Sequence, residues 1–284
     1  MRSPVDRAKW EELCQGLLAT PTDPYLRVAV LAAHPDDETI GASVLLARCT
    51  DAAFIYLTDG APQNRKLWSP EFRGSREEYA FLRRTEAERA LSLAGKRPQQ
   101  THWLGAIDQE AIFSATDLAA RLAAILTKMH ADVLITHPYE GGHPDHDAAA
   151  LVARLALRQL IAEANPVLVE MTSYHARAGQ CVTGEFLGPS IQSDVPSEEV
   201  CIELSPTDRA RKQQMFAAYA SQRLVLNSFE TNYERFRLAP EYDFSRPPHG
   251  GKLWYECMGW PITGERWRAI AIECIANFQE TACG

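Results

Sequence analysis

The chain has 284 residues, enough for one large α/β domain or two small ones. Its 29 basic and 37 acidic residues leave a net charge of −8 with no basic block, which argues against nucleic acid or an anionic membrane as partner. No apolar run reaches the roughly 18 residues of a membrane helix, Met1 to Trp10 lacks the apolar core of a signal peptide, and the seven cysteines are scattered without a C-x-x-C pair; a cytoplasmic protein with reduced thiols is expected.

Trp10, Leu13, Leu17 and Leu18 fall near helical spacing, which predicts a short amphipathic helix over 5–18, broken by Pro21-Thr22-Asp23-Pro24. Arg27 to Ala33 is apolar and rich in small and β-branched residues, as a strand buried on both faces should be. His34-Pro35-Asp36-Asp37-Glu38 follows. Proline suits the first position of a helix. The three acids then fall in its first turn, where the helix dipole favours negative charge. Ala42 to Arg48 continues that helix.

Ala52 to Leu57 is a second strand, and Thr58-Asp59-Gly60 is its exit turn, with Asp59 read first as a turn former. Residues 61–74 form a long polar loop, either a rim over a site or a plain surface excursion. Ser75 to Gly95 is a long helix. Its Arg83 and Glu86 are an i,i+3 pair, worth well under about 1 kcal/mol if it lies on the surface. Thr101 to Leu104 is a third strand that leaves through Gly105-Ala106-Ile107-Asp108, and Ala115 to His130 is the next helix.

Asp132 to Thr136 repeats the opening pattern: a buried strand, a loop with Gly141 and Gly142, then His143-Pro144-Asp145-His146 opening a helix that extends over 148–164. Pro166 to Met171 is a fifth strand, continuing toward Tyr174-His175. Strands alternating with helices from 27 to 175 imply a parallel sheet with helices on both faces. Residues 176–204 read as irregular. Ser205-Pro206 starts a helix over 208–223, a Pro-, Tyr- and Trp-rich section with His249 follows, and 266–279 is a closing helix. With no repeat or linker, one domain over 1–284 is expected, with a core at 25–180 and a C-terminal section at 181–284 capping a pocket.

Strand-to-helix turns of a parallel sheet gather at its carboxyl edge, so the two histidine motifs can meet. His34 and Asp37 are three residues apart, as are His143 and His146, which places each pair on one helical turn. Imidazole and carboxylate both suit Zn²⁺, and a catalytic zinc takes three protein ligands and a water. Four candidate ligands leave one spare. Fe²⁺ accepts the same donors.

Ala33-His34-Pro35-Asp36-Asp37-Glu38 and His143-Pro144-Asp145-His146 resemble the motifs of the PIG-L/LmbE-like zinc-dependent N-deacetylases. Leu57-Thr58-Asp59-Gly60 and Arg83-x-x-Glu86 support the resemblance, which covers about residues 25 to 230. It implies a Rossmann-like, mostly parallel sheet with Zn²⁺ at its carboxyl edge. The implied activity is removal of an acetyl group from an N-acetylglucosamine-type conjugate. It also implies roles: His34, Asp37 and His146 as zinc ligands, Asp36 as general base, His143 polarising the substrate carbonyl, and Asp145 orienting His143. Arg83 and Asp108 would reach sugar hydroxyls. A small-molecule amino sugar is then the expected partner, and a homo-oligomer is compatible with it. One departure stands out. Some relatives carry a tyrosine two residues before the histidine matching His143; here that residue is Gly141, and Tyr139 is the nearest tyrosine. Two other readings are an amidase on a thiol conjugate or other N-acyl metabolite, and a non-catalytic metal- or sugar-binding module. Asp36 and His143 argue against the module, since binding alone needs neither.

Overall fold

The computed structural model describes residues 4–18, 26–161, 165–188 and 198–282. The expected break at Pro21–Pro24, the end of the helix expected to reach Ala164, and Cys283 lie outside them. The six described cysteines are free thiols, and no described helix is long and apolar enough to cross a membrane.

Five parallel strands form the centre: β1 (Val28–Ala32), β2 (Ala53–Thr58), β3 (Thr101–Ala106), β4 (Val133–Thr136) and β5 (Val167–Met171), in the order β3-β2-β1-β4-β5. Every residue of β1, β2 and β4 is buried, because helices cover both faces. On one face Ala29, Leu31, Ile55 and Leu134 pack against α4 (Ala115–Met129), α5 (Pro144–Leu157) and α9 (Gly264–Ala282). On the other, Val28, Val30, Phe54 and Ile135 meet α1 (Pro4–Leu18), α2 (Asp37–Arg48), α3 (Arg76–Leu93) and α6 (Pro206–Ala218). The mostly parallel α/β sheet expected from the alternating pattern is therefore present.

Four details differ from the sequence reading. Pro35 does not open α2; the helix begins at Asp37 with Asp36 as its cap. α5 ends at Leu157, where i→i+3 bonds tighten the chain: Gln159 N–H to Ala156 O at 3.0 Å and Leu160 N–H to Leu157 O at 3.2 Å. β5 stops at Met171, and β6 (Tyr174–Arg177) pairs instead with β7 (Gln180–Thr183) in a separate hairpin. Finally, β8 (Glu199–Glu203), in the stretch that reads as irregular, and β9 (Tyr233–Leu238), in the Pro-, Tyr- and Trp-rich section, extend the sheet antiparallel beyond β5. Two short helices, α7 (Arg223–Leu226) and α8 (Trp254–Cys257), complete the described elements that matter for the site.

The hairpin explains the paired glycines. A Cβ on Gly142 would lie 1.9 Å from the Tyr174 carbonyl oxygen, and one on Gly141, at φ +68°, would strike Leu253 at 2.5 Å. Neither position has room for the tyrosine that some relatives carry at 141. Tyr139 cannot take its place either. It is buried, stacks on Trp267 and donates its hydroxyl to Arg246 O at 3.0 Å.

β9 also repairs a kink in α2. Ala42 departs from helical geometry, freeing backbone groups on either side. The buried Glu234 carboxylate accepts the N–H groups of Ser43 (2.9 Å) and Val44 (3.0 Å), while buried Lys212 donates to Ile40 O at 2.7 Å and to Glu234 at 2.8 Å. Removing one partner strands the other charge in the core. We expect Glu234→Leu to cost about 3–5 kcal/mol, read as a lower urea midpoint at unchanged m-value. A variant matching the parent would show that the ion pair does not hold α2.

Candidate active site

The strand order reverses between β1 and β4, which are direct neighbours, with Val30 opposite Ile135. Open α/β sheets leave a crevice at the carboxyl edge of such a point. β1 delivers His34 there, and β4 delivers His137 and then His143 and His146. β3 delivers Asp108 from the side.

His34, Asp37 and His146 are buried, with one ligand atom of each within 4.8 Å of the others. The Asp37 carboxylate lies between two imidazoles, 3.3 Å from His34 Nδ1 and 3.3 Å from His146 Nε2. Its Oδ2 also accepts the His34 backbone N–H at 2.7 Å, which fixes the turn. His146 Nε2 is buried and has no hydrogen-bond partner among the described residues. A buried ring nitrogen in that state calls for an explanation, and a divalent cation held by two imidazoles and a carboxylate supplies one. Burial would raise the Asp37 pKa, but His146 and His137 hold it well below the usual carboxylate range. Burial and the neighbouring His137 push His146 down to about 3. These shifts favour an anionic Asp37 and a neutral His146, the forms that bind metal, whereas His34, despite its burial, is held well above the usual imidazole range by Asp108, Asp145 and Asp37, so an ion would have to displace its proton.

Asp36 stands beside this group in a strained backbone, φ 138° and ψ −25°. Arg83 Nη2 holds it, donating to Asp36 Oδ2 at 3.0 Å and to Pro35 O at 2.6 Å. Gly60 makes that approach possible: a Cβ there would lie 2.7 Å from Pro35 Cδ and 2.9 Å from Arg83 Nε. Burial lifts the Asp36 pKa to about 7, against the opposing pull of Arg83. Arg83 and Glu86 are only 2% and 5% exposed, so the surface pair considered from sequence is instead a buried clamp on Asp36. Glu86 in turn accepts from the Ser221 N–H (2.8 Å) and hydroxyl (2.6 Å).

His143 caps α5. Its ring sits 4.3 Å from that of His34 and 5.3 Å from that of His146. Asp145 does hold His143, but through its backbone, whose N–H donates to Nδ1 at 3.1 Å; the Asp145 carboxylate is 3.8 Å from that nitrogen. The carboxylate serves other partners: His34 Nε2 at 3.1 Å and the N–H groups of Gln109 (2.6 Å) and Ala111 (3.1 Å). With Nδ1 accepting, a neutral His143 carries its proton on Nε2. Burial and the neighbouring His34 and His146 keep it neutral, well below the usual imidazole pKa. Asp108 is on the floor rather than at a rim, its Oδ1 3.4 Å from His34 Nε2 and 3.7 Å from His143 Nε2. His34, Asp108, His143 and Asp145 also cluster within ligand distance of one another.

These groups form the floor of a cavity of about 440 Å³. Asp59 does not reach it; it accepts from Arg76 at 2.6 Å and from the Ala61 N–H at 3.0 Å, as a turn former. The 61–74 loop packs down by stacking Trp68 on Tyr79, with Leu67 reaching the cavity. His175 is buried 3.5 Å from Glu140, and His249 accepts the Gly251 N–H at 3.0 Å; neither lines the cavity.

A model of the family described as PIG-L, GlcNAc-PI de-N-acetylase, matches residues 29–172. That is half of the 284-residue chain, and it spans both histidine motifs. The chain belongs to the PIG-L family. Solved structures share the fold. A zinc-inhibited form of teicoplanin deacetylase superposes with a TM-score of 0.54 at 15% identity, over 74% of this chain and 97% of that one. The A40926 pseudoaglycone deacetylase gives 0.51 at 18%, over 76% and 99%. The N,N′-diacetylchitobiose deacetylase of Pyrococcus horikoshii gives 0.51 at 20%, over 84% and 94%. At these identities the likeness is one of fold. Among curated proteins none matches the chain.

Two residues at this PIG-L site escaped the sequence reading. His137 is fully buried, stacks on His146 with ring centres 4.0 Å apart, and lies 3.2 Å from Asp37 Oδ2. Its signal was its place directly after β4, at the carboxyl edge. Tyr174 lines the cavity with its ring edge-on to His146 at 5.1 Å. Nothing local announced it, because the hairpin that carries it was read as the end of β5.

Proposed function

We propose that this PIG-L protein is a zinc-dependent hydrolase that removes the N-acetyl group of an N-acetylglucosamine-type conjugate. The observation that carries the reading is the convergence of His34, Asp37 and His146 with Asp36 and His143 on one buried floor. The similar folds include deacetylases named for teicoplanin and for N,N′-diacetylchitobiose, which supports an amide on a sugar as the target.

His34, Asp37 and His146 would hold the ion. When bound, zinc supplies Lewis acidity for an amide carbonyl and for water. Asp36, held by Arg83 with a pKa near neutrality, takes a proton from the attacking water and returns it to the amide nitrogen as the C–N bond breaks, so that acetate and the free amine leave. His143 donates from Nε2 to the carbonyl oxygen as charge develops on it. It acts as a neutral donor, since its Nδ1 is engaged by the Asp145 N–H. Asp145 thus fixes the tautomer of His143 and, through its carboxylate, the ring of His34. Asp108 and Arg83 are among the residues lining the cavity and would meet sugar hydroxyls there. We read residues 1–284 as one domain: β8 and β9 complete the sheet, and the section bearing Trp254 and Trp260, which contributes to the cavity lining, would cap the pocket. The expected partner is a small cytoplasmic amino-sugar conjugate.

The test is acetate release from a panel of N-acetyl sugars and N-acyl thiol conjugates, before and after chelation. Stripping the metal with dipicolinate should abolish turnover, and one equivalent of Zn²⁺ per chain should restore it. Full activity in metal-free protein, or hydrolysis of thiol conjugates alone, would overturn the reading.

A further inference from the structure

The cavity has two unlike halves. Every charged or titratable side chain in its lining except Tyr79 and Cys181 belongs to the floor and its clamp or, as Tyr174 does, borders it. The outer wall is mostly apolar: Thr183, Gln222 and Ser228 also line it, but the hydroxyls of Thr183 and Ser228 donate to Ser228 O (3.3 Å) and Val225 O (2.7 Å). Leu67 comes from the 61–74 loop, Val225 from α7 and Phe229 from just beyond it; Trp254, Met258 and Trp260 come from the C-terminal section. Three separate stretches of chain therefore bring large apolar side chains to one mouth. Leu67, Val225 and Met258 stand 37%, 51% and 50% exposed there. Exposed apolar groups gathered around a cavity mark a ligand surface more often than scattered ones do.

The wall is continuous with the chemistry. Trp260 meets the His143 ring edge-on at 4.6 Å, which puts the wall beside the residue that would meet the amide and within reach of the sugar's other substituents. Charge narrows the class further. A phosphodiester of the kind named in the family description would need a cationic partner. Arg83 is the sole Lys or Arg in the described lining; its Nε and Nη1 carry no hydrogen bond among the described residues, but its charge is already matched by Asp36 at 3.0 Å and its side chain is buried on the floor, away from the apolar wall. The amide nitrogen of Gln222 donates to the hydroxyls of Tyr79 (3.0 Å) and Ser221 (3.3 Å).

We infer that the outer half of the cavity is a subsite for an uncharged apolar or aromatic aglycone, carried by the amino sugar whose amide is cut on the floor. This rests on the deacetylase reading for the sugar, but the subsite can be probed without it. The preference arises because water leaves the Leu67, Val225, Met258 and tryptophan surfaces when such a group binds.

Two measurements on the full-length zinc-loaded protein test it. The first compares acetate release from the methyl, hexyl and phenyl β-glycosides of N-acetylglucosamine and from its inositol-phosphate conjugate. We expect kcat/KM at least tenfold higher for the hexyl or phenyl glycoside than for the methyl one, carried by KM. Val225→Asp and, separately, Met258→Asp should cut that ratio at least threefold; both side chains are half exposed, so neither change threatens folding. The second follows tryptophan emission on titration with phenyl β-glucoside, which has no amide to cleave. Saturable binding that weakens at least threefold in the two variants is expected. If phenyl glucoside binds in this way but no N-acetyl sugar is hydrolysed, the subsite stands and the deacetylase reading falls. If sugars are hydrolysed with no regard to the aglycone, or the inositol-phosphate conjugate is preferred, the subsite falls. Absence of both binding and preference overturns it as well.

Discussion

Replacing Asp36 by asparagine is expected to lower kcat for deacetylation by roughly 10²- to 10⁴-fold, the range for loss of a general base, while zinc content stays at one ion per chain. The geometry separates the two effects. Asp36 and Asp37 are adjacent, yet Asp37 is engaged by His34, His137 and His146, whereas Asp36 is engaged by Arg83. Asparagine keeps the shape and can still accept from Arg83 through its amide oxygen, but it cannot take a proton from water. Removal of the buried carboxylate relieves its desolvation but leaves the buried Arg83 without its charged partner, so some loss of stability is expected alongside the kinetic effect. Kinetics and metal analysis on the same preparation decide the matter. A variant that keeps more than a tenth of parental kcat would remove Asp36 from the chemistry. One that loses its zinc would make it a ligand.

His146→Ala should have the largest effect on the metal. It would remove one of the three proposed donors and should lower zinc affinity by more than the roughly 10- to 100-fold typical of losing an outer-layer partner. His137→Ala provides the comparison. His137 stacks on His146 and contacts Asp37 without belonging to the three-donor group, so its loss should stay within that range. Competition against a chelating dye gives both constants. Equal losses for the two variants would mean that the donor set is not His34, Asp37 and His146. Unchanged affinity in His146→Ala would mean that the ion, if any, sits in the neighbouring group with Asp108 and His143.

The parallel sheet was legible because β1, β2 and β4 are buried on both faces, and such strands read as unbroken apolar runs. β9 was not legible. Glu234 and Arg237 interrupt its apolar pattern although both are buried, and their partners lie far off in the chain: Lys212 at 2.8 Å, and Glu170 at 2.8 Å with Glu140 at 3.0 Å. A charge that is neutralised only across the fold looks, in one dimension, like a surface charge. β8 did carry an alternating signal, with Val200 and Ile202 set between more exposed neighbours.

The same division runs through the site. His34, Asp36, Asp37, His143 and His146 could be singled out because short-range chemistry places them: strands end, helices begin, and the carboxyl edge collects what lies between. What Arg83, Asp145 and Asp108 touch could not be read that way. Arg83 clamps Asp36 from α3, Asp145 spends its carboxylate on His34 and the 109–111 backbone, and Asp108 reaches the histidines from β3. The character of the cavity's outer half was also out of reach, since Leu67, Val225 and Met258 are unremarkable in sequence and form a wall only where three segments converge. Local sequence thus determined which residues stand at the sheet edge. Tertiary packing alone decided their partners, because burial, proton position and apolar surface are properties of neighbours brought together from distant parts of the chain.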